Sequence, residues 1–228
     1  ATGGDGWLHD SSGVSKYAAE TMLDFMAQIR DATGVTLSEL NLGGGFGIKY
    51  TENDLPKHSG EYMSLVSGAL KSRAEKLNLP VPYLVIEPGR SIVAPAGITL
   101  YTIGAIKDIP GIRSYVSVDG GMPDNPRYAL YKASYTVLIA NKANQPADCK
   151  FTIAGRCCES GDLIQENVML QSCQRGDIMA VLSTGAYNYS MLSNYNRLPR
   201  PAVVMVKDGE SRVVVKAEDY DDIVRNDL

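Results

Sequence analysis

Several short stretches of this chain hold residue types able to do chemistry. Glu87 to Arg90 read EPGR: a carboxylate, a flexible glycine and a guanidinium within four residues. At the end of a strand such a set can hold a charged ligand, or form a structural Glu–Arg pair, because a buried arginine needs a partner. Gly43 to Gly47 read GGGFG, which can offer backbone N–H groups to an anion with no Cβ in the way. The same glycines also suit a tight turn. Residues 118–131, VDGGMPDNPRYALY, place Arg127 and Tyr131 four apart, just after Pro126. On a helix the two share a face and could grip one carboxylate; a solvated arginine and a packing tyrosine fit that spacing equally. Residues 183–196, STGAYNYSMLSNYN, are polar and aromatic, an odd mixture for a core. They suit a loop-to-helix element that presents Tyr187 to a ligand, or a surface loop.

The window CKFTIAGRCCESGD, residues 149–162, holds Cys149, Cys157 and Cys158; Cys173 is the fourth cysteine. No CxxC pair occurs, adjacent cysteines on a strand point to opposite faces, and His9 and His58 have nothing at ligand spacing. No metal site is therefore expected. A framework of disulfides is disfavoured too, since four cysteines without framework spacing in a chain this long fit reduced thiols and a cytoplasmic setting. A reactive thiol and a small core residue both remain open for each cysteine.

These stretches need elements to position them. Val14 to Thr33 is expected to be a helix whose apolar face carries Ala18, Met22, Phe25, Met26 and Ile29, with Gly34 as its stop. LSELNL, a short strand, runs into GGGFG. Ser59 is placed to cap a second helix with Tyr62, Leu65, Val66, Ala69 and Leu70 on one face, and PYLVI, a second strand, runs into EPGR. Helix, strand, helix, strand is a parallel α/β pattern, in which ligands gather at the carboxyl ends of the strands. Beyond Arg90 the rhythm shortens. SIVAPAG, TLYTIGAI, SYVSVDGG, YTVLIA, KFTIAG, DIMAVL, PAVVMV and SRVVVKA read as short strands of an antiparallel barrel or sandwich, with a hairpin at KDGE. The tail EDYDDIVRNDL reads as a short acidic helix. With 228 residues, 44% hydrophobic and 21% charged, the chain is expected to be a folded globular protein. A net charge of −4 argues against a nucleic-acid surface, and no apolar run is long enough to cross a membrane. The start, ATGGDGWLHDSSG, does not resemble a signal peptide.

LGGGFGIKYTENDLP, EPGRSIV, VDGGMPDNPRYALY, CCESGD and GAYNYSMLSNYN occur in an order and at a spacing that resemble the diaminopimelate decarboxylases. The likeness runs from about residue 14 to the C-terminus. It implies the pyridoxal-phosphate-dependent last step of lysine biosynthesis on an alanine-racemase/ornithine-decarboxylase-like fold. That is a TIM-type (β/α)8 barrel binding the cofactor, followed by a β-barrel or sandwich domain. Residues 1–93 would be the last β/α units of the barrel, and 94–228 the β domain with its terminal helix. By the resemblance, Gly43, Gly44, Gly45, Glu87, Pro88, Gly89 and Arg90 would bind the cofactor's phosphate and ring. Glu87 would face the pyridine nitrogen, whose protonation makes the ring an electron sink. Arg90, Arg127 and Tyr131 would hold the carboxylate that does not react, Glu159 the distal ammonium, and Tyr187 both cofactor and substrate. Cys158 would donate a proton to the carbon that loses CO₂. The CESGD segment would reach into a partner's site, implying a homodimer with a shared active site.

Three departures accompany the likeness. The family's cofactor-binding lysine and its HIGS-like histidine motif lie in the first half of the barrel; ATGGDGWLHDSSG matches neither, and Lys16 and Lys49 stand in the wrong surroundings. The chain is thus expected to be the C-terminal part of a larger enzyme, inactive alone. Cys157 also stands where the family often has histidine. The alternatives are a decarboxylase of ornithine, arginine or carboxynorspermidine, or a non-catalytic fragment that binds pyridoxal phosphate or phosphate. An amine-only tail would not need Arg127.

Overall fold

The computed structural model describes residues 11–228, so the opening ATGGDGWLHD, with His9, lies outside the described residues. The chain divides into two units, Ala1–Pro95 and Ala96–Leu228.

In the first unit the order is helix α1 (Ser11–Thr33), strand β1 (Glu39–Asn41), helix α2 (Ser59–Lys76), strand β2 (Tyr83–Val85) and a single-turn helix α3 (Arg90–Val93). β1 and β2 pair in parallel, Leu40 opposite Leu84, so both strands end on the same side. α1 differs from its expected face. Ala19, Leu23, Met26 and Ala27 are buried, whereas Met22 and Phe25 are exposed. Ala19, Leu23 and Ala27 lie on one i, i+4 ridge with Met26 beside it, and the two alanines let α1 approach Val66, Leu70 and Ala74 of α2 closely. Of the face expected from spacing, Met26 is buried and Ala18 and Ile29 are half-buried. Burial of Leu23 contributes about 2 kcal/mol, and Leu23→Ala would cost about 2–5 kcal/mol. Arg73 of α2 grips Asp24 of α1 through two hydrogen bonds of 2.6 and 2.7 Å. That guanidinium holds the Asp24 carboxyl below its ordinary value. α2 is capped by His58, whose Nδ1 accepts from the Gly60 N–H at 3.3 Å, rather than by Ser59; Leu65, placed on the apolar face by spacing, is exposed.

The second unit is a curled six-stranded sheet plus a hairpin. Its strands are β3 (Ile98–Ile109), β4 (Arg113–Val118), β5 (Val137–Ile139), β6 (Cys149–Ala154), β7 (Leu163–Leu170) and β8 (Ile178–Leu182), in the spatial order β5-β8-β3-β4-β6-β7. The long β3 is shared, pairing with β8 through its first half and with β4 through its second. The outer strands are stitched by side chains: the Tyr135 N–H donates to Gln165 and the Ile139 N–H to Gln171, both at 2.9 Å. Ile103, Val116, Ile139, Ile153, Ile164, Leu170, Met179 and Val181 fill the interior. Two expectations are corrected here. The sheet is mixed, since β4 and β6 run parallel, which requires the whole 119–148 segment to cross between them. SIVAPAG is helical, α3 continuing into a 3₁₀ turn at Ala94–Ala96, because its apolar run begins right after a Pro-Gly and contains Pro95. Strands β9 (Val203–Lys207) and β10 (Glu210–Val215) form the hairpin about KDGE. The terminal helix α5 (Tyr220–Val224) is held by a capping box between Asp219 and Asp222.

Candidate functional site

In the first unit, GGGFG and EPGR leave the ends of two paired parallel strands and are sewn to each other. The Leu42 N–H donates to Val85 O at 3.0 Å, and the Glu87 N–H to Gly43 O at 2.8 Å. Asn41, the last residue of β1, works on both loops: its Nδ2 donates to Glu87 Oε1 at 2.7 Å, and its Oδ1 accepts from the Gly43 N–H at 2.8 Å. Glu87 is thereby aimed before any ligand arrives. Gly44 faces the Glu87 backbone so closely that an added Cβ would overlap the Glu87 carbonyl oxygen. Among the described residues, the Gly44 and Gly45 N–H groups find no hydrogen-bond acceptor. Phe46 stands edge-on to Tyr62 of α2, which fixes the far side of the loop. A strand-end loop with unspent N–H donors beside a restrained carboxylate and an arginine has the donor set for a phosphate and a protonated ring nitrogen. Pro88 and Gly89 complete the turn that carries Arg90 to the start of α3.

In the second unit, Arg127 and Tyr131 fall on one short helix, α4 (Arg127–Tyr131). Buried Tyr128 anchors it, donating its hydroxyl to Glu166 of β7 at 2.7 Å, while Arg113 of β4 pairs with the same carboxylate at 2.8 Å. Burial first, and then this carboxylate, push the Tyr128 pKa up to about 12, so the phenol remains a donor. Arg127 Nη1 donates to the hydroxyl of Tyr135, a ring buried to 1% exposure, at 2.8 Å. The guanidinium also lies 5.3 Å from the Tyr187 ring centre, so Arg127 and Tyr187 meet although 60 residues separate them. Tyr187 is exposed and holds φ of +70°, a left-handed backbone that a bulky residue adopts only when its surroundings impose it. Close by in sequence, the side chains of Asn125 and Asn188 are fully buried with no hydrogen-bond partner among the described residues.

Cys158 and Glu159 are exposed on the turn after β6. The Cys158 N–H donates to Asn196 Oδ1 at 2.8 Å, and Glu159 Oε1 accepts from the Gly161 N–H at 3.1 Å. Asp162, 3% exposed, holds this turn. Its Oδ1 accepts from the Met122 N–H at 2.6 Å and its Oδ2 from the Cys157 N–H at 2.7 Å. Gly121 and Gly155 pack so closely on the carboxylate that neither could carry a Cβ. One buried side chain therefore ties the thiol-bearing turn to the segment leading into α4. Cys157 points its role inward: burial first, then the Asp162 charge, drive its thiol up to about 12. The cysteines are all free thiols, and Cys149 and Cys173 are half-buried rather than core residues.

The sequence motifs pointed to Gly43 to Gly45, Glu87, Arg90, Arg127, Tyr131 and Tyr187, and the family resemblance alone added Cys158 and Glu159. Neither indicated Asn41, Tyr135 or Asp162. Asn41 had one usable signal, a polar residue in an apolar strand one residue short of the glycines.

A family model described as pyridoxal-dependent decarboxylase, C-terminal sheet domain, matches residues 15–185. The chain belongs to this family. Among its relatives, the diaminopimelate decarboxylase of Bacillus subtilis (strain 168) is 50% identical over 92% of this chain and 48% of its own length. The structure of diaminopimelate decarboxylase from M. jannaschii in co-complex with L-lysine superposes with a TM-score of 0.87 at 28% identity, covering 95% of this chain and 49% of that one. The Helicobacter pylori enzyme, complexed with L-lysine, gives 0.78 at 29% identity, covering 92% and 50%. The chain spans about half the length of the curated relatives it matches. The fold is accordingly that of the C-terminal part of these enzymes, α/β elements followed by a β domain. Among the described residues no helix is long and apolar enough to cross a membrane.

Proposed function

We propose that this chain supplies the C-terminal half of a cytoplasmic, pyridoxal-phosphate-dependent decarboxylase that converts meso-2,6-diaminopimelate to L-lysine. The observation that carries the substrate is Arg127, a guanidinium held by the Tyr135 hydroxyl and stacked on Tyr187, on a helix that also carries Tyr131. Such a group selects a substrate with a carboxylate at its non-reacting end; an amine-only substrate would leave it unpaired. Glu159 is exposed and free of any ion pair among the described residues, which suits it to a distal ammonium.

The strand-end loops of the first unit fit the cofactor. The Gly44 and Gly45 N–H groups would bind its phosphate, Arg90 would add positive charge, and Glu87, kept in place by Asn41, would hold a proton on the pyridine nitrogen. When bound, pyridoxal phosphate supplies the electron sink for loss of CO₂. Arg127 and Tyr131 would orient the substrate; Arg90 and Tyr187 keep the roles that the family resemblance implies for them, the first toward the substrate carboxylate and the second toward cofactor and substrate. The Cys158 Sγ–H, on an exposed turn fixed by Asp162, delivers a proton to the carbon that has lost CO₂. Cys157, adjacent and turned toward Asp162, keeps its proton and holds the turn. The exposure of Cys158 and Glu159 supports a homodimer in which this turn completes a partner's site.

The test uses a full-length enzyme carrying this sequence. Arg127→Ala should lower kcat/KM for diaminopimelate by about a hundredfold or more, the loss of a charge-assisted contact worth about 3 kcal/mol. Cys158→Ala should cut kcat with cofactor still bound. An Arg127→Ala enzyme with undiminished kcat/KM for diaminopimelate would remove Arg127 as the group that recognises the substrate's carboxylate.

A further inference from the structure

Helix α4, which carries Arg127, is only five residues long, too short to fix a side chain by itself. What fixes this segment comes from β7, the edge strand of the sheet, and β7 is bulged. From Phe151 to Ile153 strand β6 advances two residues, while β7 passes from Val168 to Gln165, three. Asn167, inside that stretch, takes a φ of +54°. Strict alternation would send Gln165 and Glu166 to opposite faces. With the bulge, both reach the 127–135 segment, and re-aiming a side chain is a common use of bulges beside binding sites.

The two side chains hold the segment at separate points. Glu166 accepts from the Tyr128 hydroxyl at 2.7 Å, which pins the residue next to Arg127. Gln165 holds Tyr135 by its backbone, Oε1 accepting the N–H at 2.9 Å. Between these points the chain reverses at Lys132, whose φ of +54° ends α4 and returns Tyr135 to Arg127, eight residues away in sequence. Tyr135 is 1% exposed, so its ring has no freedom to drift. Its hydroxyl accepts from Arg127 Nη1 at 2.8 Å, and its ring centre lies 5.8 Å from the guanidinium carbon. An arginine loses rotamer freedom when it grips a ligand, and one already held in place loses less.

We propose that Tyr135 is a positioning residue for substrate recognition. Its hydroxyl, placed by Gln165 and the bulge of β7, sets Arg127 in advance for the carboxylate at the substrate's non-reacting end. This role rests on Arg127 gripping that carboxylate, as proposed above, and Tyr135 acts through it.

The test is a double-mutant cycle in a full-length enzyme carrying this sequence. The values of kcat and KM for meso-diaminopimelate are measured for the parent, Tyr135→Phe, Arg127→Ala and the pair. Tyr135→Phe removes one hydroxyl and keeps the buried ring. KM should rise about tenfold, with kcat within about twofold of the parent and pyridoxal-phosphate affinity unchanged. On the Arg127→Ala background, Tyr135→Phe should add less than about twofold, because the group it sets is gone. A purely structural tyrosine would add its full effect on either background, and that result would overturn the proposal. A parental KM in Tyr135→Phe beside a raised one in Arg127→Ala would overturn it too, while leaving Arg127's own role intact. Parental kcat/KM in Arg127→Ala would remove the role of Arg127, and that of Tyr135 with it. If Tyr135→Phe does not fold, Gln165→Leu, which releases the tyrosine's backbone N–H, takes its place in the same cycle. It should raise KM by about threefold in the parent and leave Arg127→Ala unchanged; additive effects would again overturn the proposal.

Discussion

Asp162→Asn changes one atom of the group that holds the turn carrying Cys158, and its effect can be worked from the geometry. The aspartate accepts from two backbone N–H groups, Met122 at 2.6 Å and Cys157 at 2.7 Å. Asparagine has the same volume, so no cavity opens and the packing of Gly121 and Gly155 is preserved. It has only one acceptor oxygen. Whichever way the amide turns, an NH₂ group faces one of the two N–H donors. One charge-assisted hydrogen bond is lost and one donor is stranded in a site that is 3% exposed. Together these cost about 2–4 kcal/mol, a large share of the 5–15 kcal/mol of a typical domain. At about 3 °C per kcal/mol for a unit of this size, the melting temperature should fall by about 6–12 °C in scanning calorimetry. The thiol turn should loosen as well, so alkylation of Cys158 should quicken in the native protein. A variant melting within about 2 °C of the parent would mean that Asp162 is not what ties the turn down.

Gly44→Ala should open the joint between the two strand-end loops, since the new Cβ overlaps the Glu87 carbonyl oxygen. A cost of about 1–3 kcal/mol in denaturant unfolding is expected, with pyridoxal-phosphate affinity down about tenfold or more by fluorescence titration. At pH 8, iodoacetamide followed by peptide mass mapping should mark exposed Cys158 well before Cys157, whose thiol stays protonated up to about 12. Asp177 is held at about 2, below its ordinary 3.8, chiefly by Lys142 at 2.6 Å and then by Asn141. A depressed carboxylate stabilises fully above its unfolded value and loses that contribution as pH falls from about 4 toward about 2. Lys142→Met should therefore bring acid unfolding, followed by circular dichroism, to a higher pH than in the parent.

The parts of the fold that could be read from sequence are those whose signal is local. The KDGE turn, the two strand-to-loop transitions and the inward residues Tyr62, Val66, Ala69 and Leu70 of α2 each depend on residues within one element. β7 was hidden because Gln165, Glu166 and Asn167 interrupt its apolar run; Asn167 takes a φ of +54°, and two register shifts break its pairing with β6. The parallel pairing of β4 with β6 is a long-range choice that alternation along a strand cannot reveal. The site divides the same way. Residue types carried by motifs were legible, but the side chains that aim them were not. Asp162 looks like an ordinary turn acid until Gly121 and Gly155, from other parts of the chain, enclose it. Tyr135 resembles any half-buried tyrosine, and only the folded chain brings its hydroxyl under Arg127.

The parallel pairing of β4 with β6 also bears on how the second unit comes to exist in time. β6 cannot dock until the 119–148 segment, which carries α4 and β5, has closed over it, and the entropy of that closure falls before the pairing returns anything. The segment that must close first is the one bearing Arg127 and Tyr131, and the strand that then docks delivers Cys158 and Glu159 at its end. These residues are therefore expected to come together with the long-range pairing of β4 and β6, the slower kind of contact to form. A chain that has completed its sheet has, by the same step, brought the two segments into register, and partly folded chains should expose an unpaired β4 edge rather than a loosely formed site.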